Sequence, residues 1–332
     1  MKSVLVTGGC GFLGSWMVRQ LVEDEGATVR VFAVPGESRE NIADLDVEVI
    51  EGDVRERADV EKAVAGCDTV FHAAAIYQDY APDPTLMYDV NLRGTFYVLE
   101  AARRAGVEKV IYTASIVSVG RPEPGQTADE GTPYECWDLD FPYSRSKFFS
   151  RQIAEYFGAW DLDVRVVCPA IVLGPGDLRP TPSGELIIKQ FQPGLPAIHF
   201  DGGANYVDVR DAARAHVLAA RDGAAGQRYL ATGANLTNRE LVETIQRVSG
   251  RERPLVKLPV TVAQAVAKGM DIHARATGTV PMLAKEFFEY SLRPSFYRND
   301  KARRELGASF RPIDETIRDA IEYFRGRGLI AA

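Results

Sequence analysis

The sequence predicts a doubly wound α/β fold: a parallel sheet covered by helices on both faces, followed in the chain by a smaller, mostly helical lobe. Three observations predict it. Apolar runs of strand length alternate with longer stretches of helical spacing through the first half. A glycine cluster directly follows the first such run. After Cys168 the pattern changes, with segments rich in Pro and Gly and then short helical stretches.

Val4-Leu5-Val6 reads as a buried strand, and residues 12–22 follow with helical spacing. Further strands are read at 29–34, 47–51, 69–73, 109–113 and 164–168. Helices are read at 84–106, where Gly106 takes the C-terminal cap, and at 142–158. Strands joined by helices of this length require crossover connections, which are right-handed and build a parallel sheet buried on both faces. Residues 169–182 and 192–196 are punctuated by Pro and Gly, and beyond about Arg239 short helices are read at 260–273, 281–291 and 312–324.

Composition removes several classes. At about 150 residues per domain, a chain of 332 residues suggests two lobes. Thirty-nine basic against 46 acidic residues give a net charge of −7, which weighs against a nucleic-acid binder. No apolar run approaches the roughly 18 residues of a membrane span, so no membrane partner is expected. The glycines arrive too early for a signal peptide. The four cysteines are widely spaced with no CxxC pair, and the four histidines show no ligand spacing. The expectation is a cytoplasmic chain without disulfides or a metal site.

Thr7-Gly8-Gly9-Cys10-Gly11-Phe12-Leu13-Gly14 links the first strand to the first helix. Gly8, Gly11 and Gly14 permit a tight turn, and the helix N-terminus at Phe12 and Leu13 presents N–H groups to a pyrophosphate. Residues 1–168 therefore read as a Rossmann-type dinucleotide-binding domain, and 169–332 mainly as a substrate-binding lobe with some segments returning to the sheet. The acid that commonly ends the second strand is missing: Val34 is followed by Pro35-Gly36-Glu37-Ser38-Arg39. Arg39 with Ser38 suits a 2′-phosphate and tilts the reading from NAD toward NADP, whereas Glu37 reaching back to the ribose reverses it. Asp53 and Val54, closing the third strand, suit the adenine.

Tyr143 and Lys147 stand four residues apart on one helix, so their side chains share a face. A phenol ionises near pH 10, too high for acid–base work at neutrality; a neighbouring ammonium and an oxidised nicotinamide lower that value. Ser115 ends the fifth strand at the open rim of the sheet, where its hydroxyl can share a substrate oxygen with Tyr143.

Together with Phe71-His72-Ala73-Ala74-Ala75, residues 89–95, residues 206–211 and residues 301–307, these motifs make the chain similar to the extended short-chain dehydrogenase/reductases, also called NAD-dependent epimerase/dehydratases. The resemblance implies Tyr143 as general acid/base, Lys147 as anchor of the nicotinamide ribose, and Ser115 as orienter of the substrate oxygen. It further implies that Ala73 and Ala75 line the cofactor, that Pro169, Ala170 and Ile171 abut the nicotinamide, and that Asn91 holds the helix near the site. A homodimer through the helices at 84–106 and 142–158 is implied as well. Residues 178–184 and 293–297 resemble the dihydroflavonol 4-reductase-like branch. The expected reaction is hydride transfer between NAD(P)H and a carbonyl or alcohol; a sugar-nucleotide epimerase with retained cofactor is the alternative. Tyr77, Tyr80, Trp137, Phe141 and Phe191 suit an apolar carbonyl, while Arg179, Lys189 and Arg210 are candidates to clamp a diphosphate.

Overall fold

Buried apolar runs become strands in the order β1 (Ser3–Thr7), β2 (Thr28–Ala33), β3 (Glu48–Glu51), β4 (Thr69–His72), β5 (Lys109–Thr113) and β6 (Val164–Pro169). The chain continues with β7 (Ile171–Leu173), β8 (Ala197–His199), β9 (Gly203–Asp208), β10 (Arg228–Ala231), β11 (Ala234–Thr237) and β12 (Leu255–Lys257). The computed structural model describes residues 1–139, 141–194, 196–281 and 285–331, with Glu286 described by its backbone alone.

Seven strands pair in the order β10-β6-β5-β4-β1-β2-β3, every pair parallel. Val4, Val6, Phe71 and Ile111 pack on one face with Met17, Val18 and Leu21 of the Phe12–Glu23 helix and with Ala213, Val217 and Ala220 of the Val209–Asp222 helix. Leu5, Val70, Val110 and Val166 pack on the other, under the helices Arg57–Val64, Thr95–Ala105 and Pro142–Trp160. Burial on both faces is why these strands read as continuous apolar runs rather than alternating ones. The return of β10 to the sheet edge beside β6 ties the later half of the chain to the first.

Two regions differ from the sequence reading. The helix expected over 84–106 is three pieces: a turn at Thr85–Tyr88, a π-helical segment at Asp89–Gly94 and a helix at Thr95–Ala105, ended by Gly106 at φ 70°. A π bulge leaves the apolar spacing on either side nearly intact, so periodicity does not register it. Here it accompanies Asn91, whose amide Nδ2 donates to the Ile76 carbonyl at 3.0 Å and to Ser146 Oγ at 3.0 Å, while Oδ1 accepts from Ile76 N–H at 2.8 Å. The later half also contains more than short helices: β7, β9 and β11 form a second sheet and β8 and β12 a two-stranded pair. These strands are about as short as those of the main sheet, but segments such as Gly203-Ala204-Asn205 in β9 and Ala234-Asn235 in β11 lack the continuous apolar run that marks the buried strands. The helices read at 260–273 and 312–324 are Val260–Thr277 and Ile313–Gly326. Of the one read at 281–291, Lys285–Ser291 is helical, and 282–284 lie outside the described residues.

Candidate active site

Between β1 and β4 the strand order reverses, and connections leave the two strands on opposite sides, opening a crevice at their C-terminal ends. A cavity of about 580 Å³ fills it. Its floor is the glycine turn. Gly8 adopts φ +70°, and a Cβ there would lie 2.9 Å from the backbone of Ala74, two residues beyond β4; one on Gly14 would run into the Gly8 carbonyl. Gly8 N–H donates to the Phe32 carbonyl at 3.0 Å and Gly11 N–H to the Gly8 carbonyl at 3.1 Å, closing the turn. The helix that follows is capped by Gly11 with no side-chain bond and carries no acid in its first turn, so its leading N–H groups face the cavity without a built-in anion. This cradle fits a dinucleotide pyrophosphate.

Gly8, Gly11, Phe12, Leu13, Gly14, Asp53, Val54, Ala73, Ala75, Ser115, Tyr143, Lys147, Pro169 and Ile171 all line the cavity. Two residues expected at the cofactor lie off its wall. Arg39 donates to Glu51 at 2.7 Å with both side chains about half exposed, since the turn at Pro35 and Gly36 carries it outward. Asn91 acts one layer back, through Ile76 and Ser146. Glu37, on the same turn as Arg39, does line the cavity; burial pushes its carboxyl up, against Val34 N–H and the Arg179 charge. Asp53 is held low by the Arg55 guanidinium, which donates to both carboxylate oxygens.

At the other end, β5 delivers Ser115, which caps the short turn Ile116–Ser118, and the Pro142–Trp160 helix delivers Tyr143 and Lys147. Pro142 starts that helix at a position where no N–H is needed. Lys147 is 4% exposed, and its Nζ donates to the Thr113 carbonyl at 3.0 Å. Burial lowers its pKa to about 8, so it sits close to losing its proton at neutral pH. The Tyr143 phenol lines the cavity beside Ser115. Burial pushes it well above the ordinary tyrosine range, and the group pulling it back is the Ser115 hydroxyl, within side-chain hydrogen-bonding reach, while the ammonium is engaged by Thr113. The Thr113 hydroxyl, also on the cavity wall, is buried without a hydrogen-bond partner.

Of the aromatic candidates, Tyr77 and Phe141 line the cavity, and the Tyr77 ring packs 4.7 Å from that of Tyr143. Phe191 is buried with Ile187 and Phe324, Trp137 is half exposed against Tyr134 and Phe148, and Tyr80 does not reach the wall. The sequence missed Phe287 and Tyr290, brought in by the Lys285–Ser291 helix from far along the chain. None of the candidate clamps lines the cavity: Arg210 is bound by Asp208 and Asp319, Lys189 stands 3.8 Å from Glu185, and Arg179 lies near Glu37. Among the described residues, the cations on the wall are Lys147 and Arg55, the latter already paired.

The profile of the NAD dependent epimerase/dehydratase family matches residues 4–231. A provisionally named dihydroflavonol 4-reductase of Synechocystis sp. is 30% identical over 98% of this chain and 95% of its own length. Sterol demethylase protein B of Methylococcus capsulatus is 32% identical over 99% of this chain and 100% of its own. The crystal structure of gox2253 superposes with a TM-score of 0.88 at 33% identity, covering 100% of both chains. The similarity thus spans both halves of the molecule and includes the dihydroflavonol 4-reductase-like branch.

Proposed function

We propose that this chain, which belongs to the NAD dependent epimerase/dehydratase family, reduces a carbonyl on an apolar small molecule, with Ser115, Tyr143 and Lys147 as catalytic residues. It is an NAD-dependent enzyme of the short-chain dehydrogenase/reductase type. The observation that carries the finer reading is the charge of the cavity wall. A nucleoside diphosphate brings about two negative charges that need cationic partners. The substrate end offers Tyr77, Phe141, Phe287 and Tyr290, with Lys147 as the cation there. Residues 1–168 form the dinucleotide-binding part of this proposal and 169–332 mainly the substrate side.

A bound nicotinamide cofactor supplies the hydride. Ser115 holds the carbonyl oxygen by a hydrogen bond and Tyr143 gives that oxygen its phenolic proton, so that the carbonyl leaves as an alcohol and the phenol as phenolate. Lys147, held by the Thr113 carbonyl, anchors the nicotinamide ribose in this reading; its depressed pKa keeps its charge responsive to what binds beside it. Glu37 on the wall and Arg39 off it support NAD over NADP, reversing the tilt given by the sequence.

Phe96, Phe149, Tyr156 and Trp160 are exposed on the helices Thr95–Ala105 and Pro142–Trp160, which supports a homodimer through those helices. No described helix is long and apolar enough to cross a membrane. The test is a panel of apolar aldehydes and ketones with NADH and NADPH. Oxidation of NADH is expected; interconversion of sugar nucleotides without net cofactor turnover would overturn the assignment.

A further inference from the structure

Three serines are buried near the start of the helix that carries Tyr143 and Lys147: Ser144, Ser146 and Ser150, each at most 1% exposed. Serine is a middling helix former, because its hydroxyl competes for backbone groups. Two of the three bond back into their own helix, Ser146 to the Tyr143 carbonyl at 2.8 Å and Ser150 to the Ser146 carbonyl at 2.7 Å. Ser144 reaches out of it. Its Oγ donates to the Val117 carbonyl at 2.9 Å, which spends its one proton, so the Tyr134 phenol 3.0 Å away donates to that Oγ. Val117 belongs to the turn Ile116–Ser118, which Ser115 caps, and its N–H lies 3.4 Å from Ser115 Oγ. Seven residues along the same helix face, Arg151 Nη2 donates to the next carbonyl, that of Ser118, at 3.1 Å.

Resting on the reading of Ser115 and Tyr143 as the two hydroxyls that meet the substrate oxygen, we propose that Ser144 is a positioning residue. It directly follows the acid in the chain, and through the Val117 carbonyl it fixes the turn that presents Ser115. The two hydroxyls come from different elements, β5 and the Pro142–Trp160 helix, and this bond sets their spacing. Tyr134 occupies the Ser144 oxygen from behind and keeps its proton aimed at Val117. Both hydroxyls must reach one oxygen, and a small misplacement of either slows the reaction. A bond that only satisfied a buried carbonyl would stabilise the fold whether or not Ser115 were present; a positioning bond matters to turnover only while Ser115 is there.

That difference is read by a double-mutant cycle. Ser144→Ala removes the bond and leaves a good helix former. The kcat for carbonyl reduction is expected to fall about tenfold, with NADH affinity by fluorescence titration unmoved. In a Ser115→Ala background the same substitution is expected to change kcat by less than about twofold. An equal loss in both backgrounds, or no loss in either, would overturn the proposal and make Ser144 structural. Tyr134→Phe keeps the ring stacked on Phe148 and removes the donor behind Ser144. It serves if Ser144→Ala does not fold: a loss of about threefold is expected with Ser115 and none without it, and the same loss in both would overturn the proposal. If the wild-type chain reduces no carbonyl at all, the reductase reading fails by itself, and hydrogen exchange decides this one. Faster exchange of the Val117, Ser118 and Val119 amides in Ser144→Ala supports it, and unchanged exchange overturns it.

Discussion

The two ends of the cavity are built by different means. The dinucleotide end is made by backbone: the turn at Gly8, the carbonyl of Gly8 against Gly14, and the bare N-terminus of the following helix. The substrate end is made by side chains from separate segments, with Tyr77 from the loop after β4, Phe141 from before the Pro142–Trp160 helix, and Phe287 and Tyr290 from the Lys285–Ser291 helix. Backbone shape is fixed by a few glycines and the sheet they join; a surface of side chains can be exchanged residue by residue without disturbing that sheet. The difference explains how one fold keeps its cofactor while its substrate changes.

If the ends are independent, a substitution at one should leave the other unmoved. The largest effect is expected from Tyr143→Phe, which removes the acid and keeps the ring. Turnover should fall by roughly 10²–10⁴-fold. Cofactor affinity, measured by fluorescence titration, should stay within about twofold, because the pyrophosphate cradle is backbone. A large loss of affinity would show that the ends are coupled through the phenol. Next comes Gly14→Ala, where the new methyl meets the Gly8 carbonyl. Cofactor affinity should fall by roughly tenfold or more, with thermal stability lowered by about 1–3 kcal/mol from overpacking; unchanged affinity would mean that the cradle is not where the cofactor sits. A smaller effect is expected at Glu37. Replacing it with Ser removes a carboxylate from the wall without touching the turn, so the ratio of NADP to NAD efficiency should rise by about an order of magnitude, worth roughly 1.4 kcal/mol. A ratio that does not move returns the choice of cofactor to residues such as Arg39.

This contrast also explains what the sequence revealed. The glycine turn was readable because its whole determinant lies within residues 7–14, in a strand-to-helix context. Ser115, Tyr143 and Lys147 were readable because a strand end and a four-residue helical spacing are local features, and all three reach one cavity. The charge state of Tyr143 was not, because it depends on burial and on what the Lys147 ammonium faces, which only the packed structure sets. Arg39 and Glu37 stand two residues apart on one turn, and composition could not tell which faces inward. Phe287 and Tyr290 had no signal at all, since their place on the cavity wall comes from how a helix far along the chain packs there.

The smallest expected effect concerns stability at the dinucleotide end, and it follows from a chain of hydrogen bonds beneath the cradle. Thr95 Oγ1 donates its proton to the Asn91 carbonyl at 2.6 Å, so toward His72 Nε2, 3.0 Å away, it acts as acceptor. That leaves Nε2 protonated and Nδ1 as acceptor from Thr7 Oγ1 at 2.7 Å. A second ring proton would put a donor against the Thr7 hydroxyl in a site closed to solvent. Burial, aided by the Lys147 charge, depresses the His72 pKa from 6.5 to about 3. The unfolded chain takes up a proton near pH 6.5 and the folded chain does not until about pH 3, so the stability due to this group is complete above pH 6.5 and lost as pH falls through that interval. The slope for one such group is up to about 1.4 kcal/mol per pH unit. His216, buried and depressed to about 4, adds a second contribution of the same sign. Urea unfolding of His72→Gln between pH 6 and pH 4 should therefore lose stability less steeply than wild type, by about one proton's worth of slope, while being weaker at neutral pH because the bridge between Thr7 and Thr95 is altered. Equal slopes in the two chains would mean that His72 titrates normally and that the bridge opens in solution, which would loosen the floor on which Gly8 and Ala74 meet.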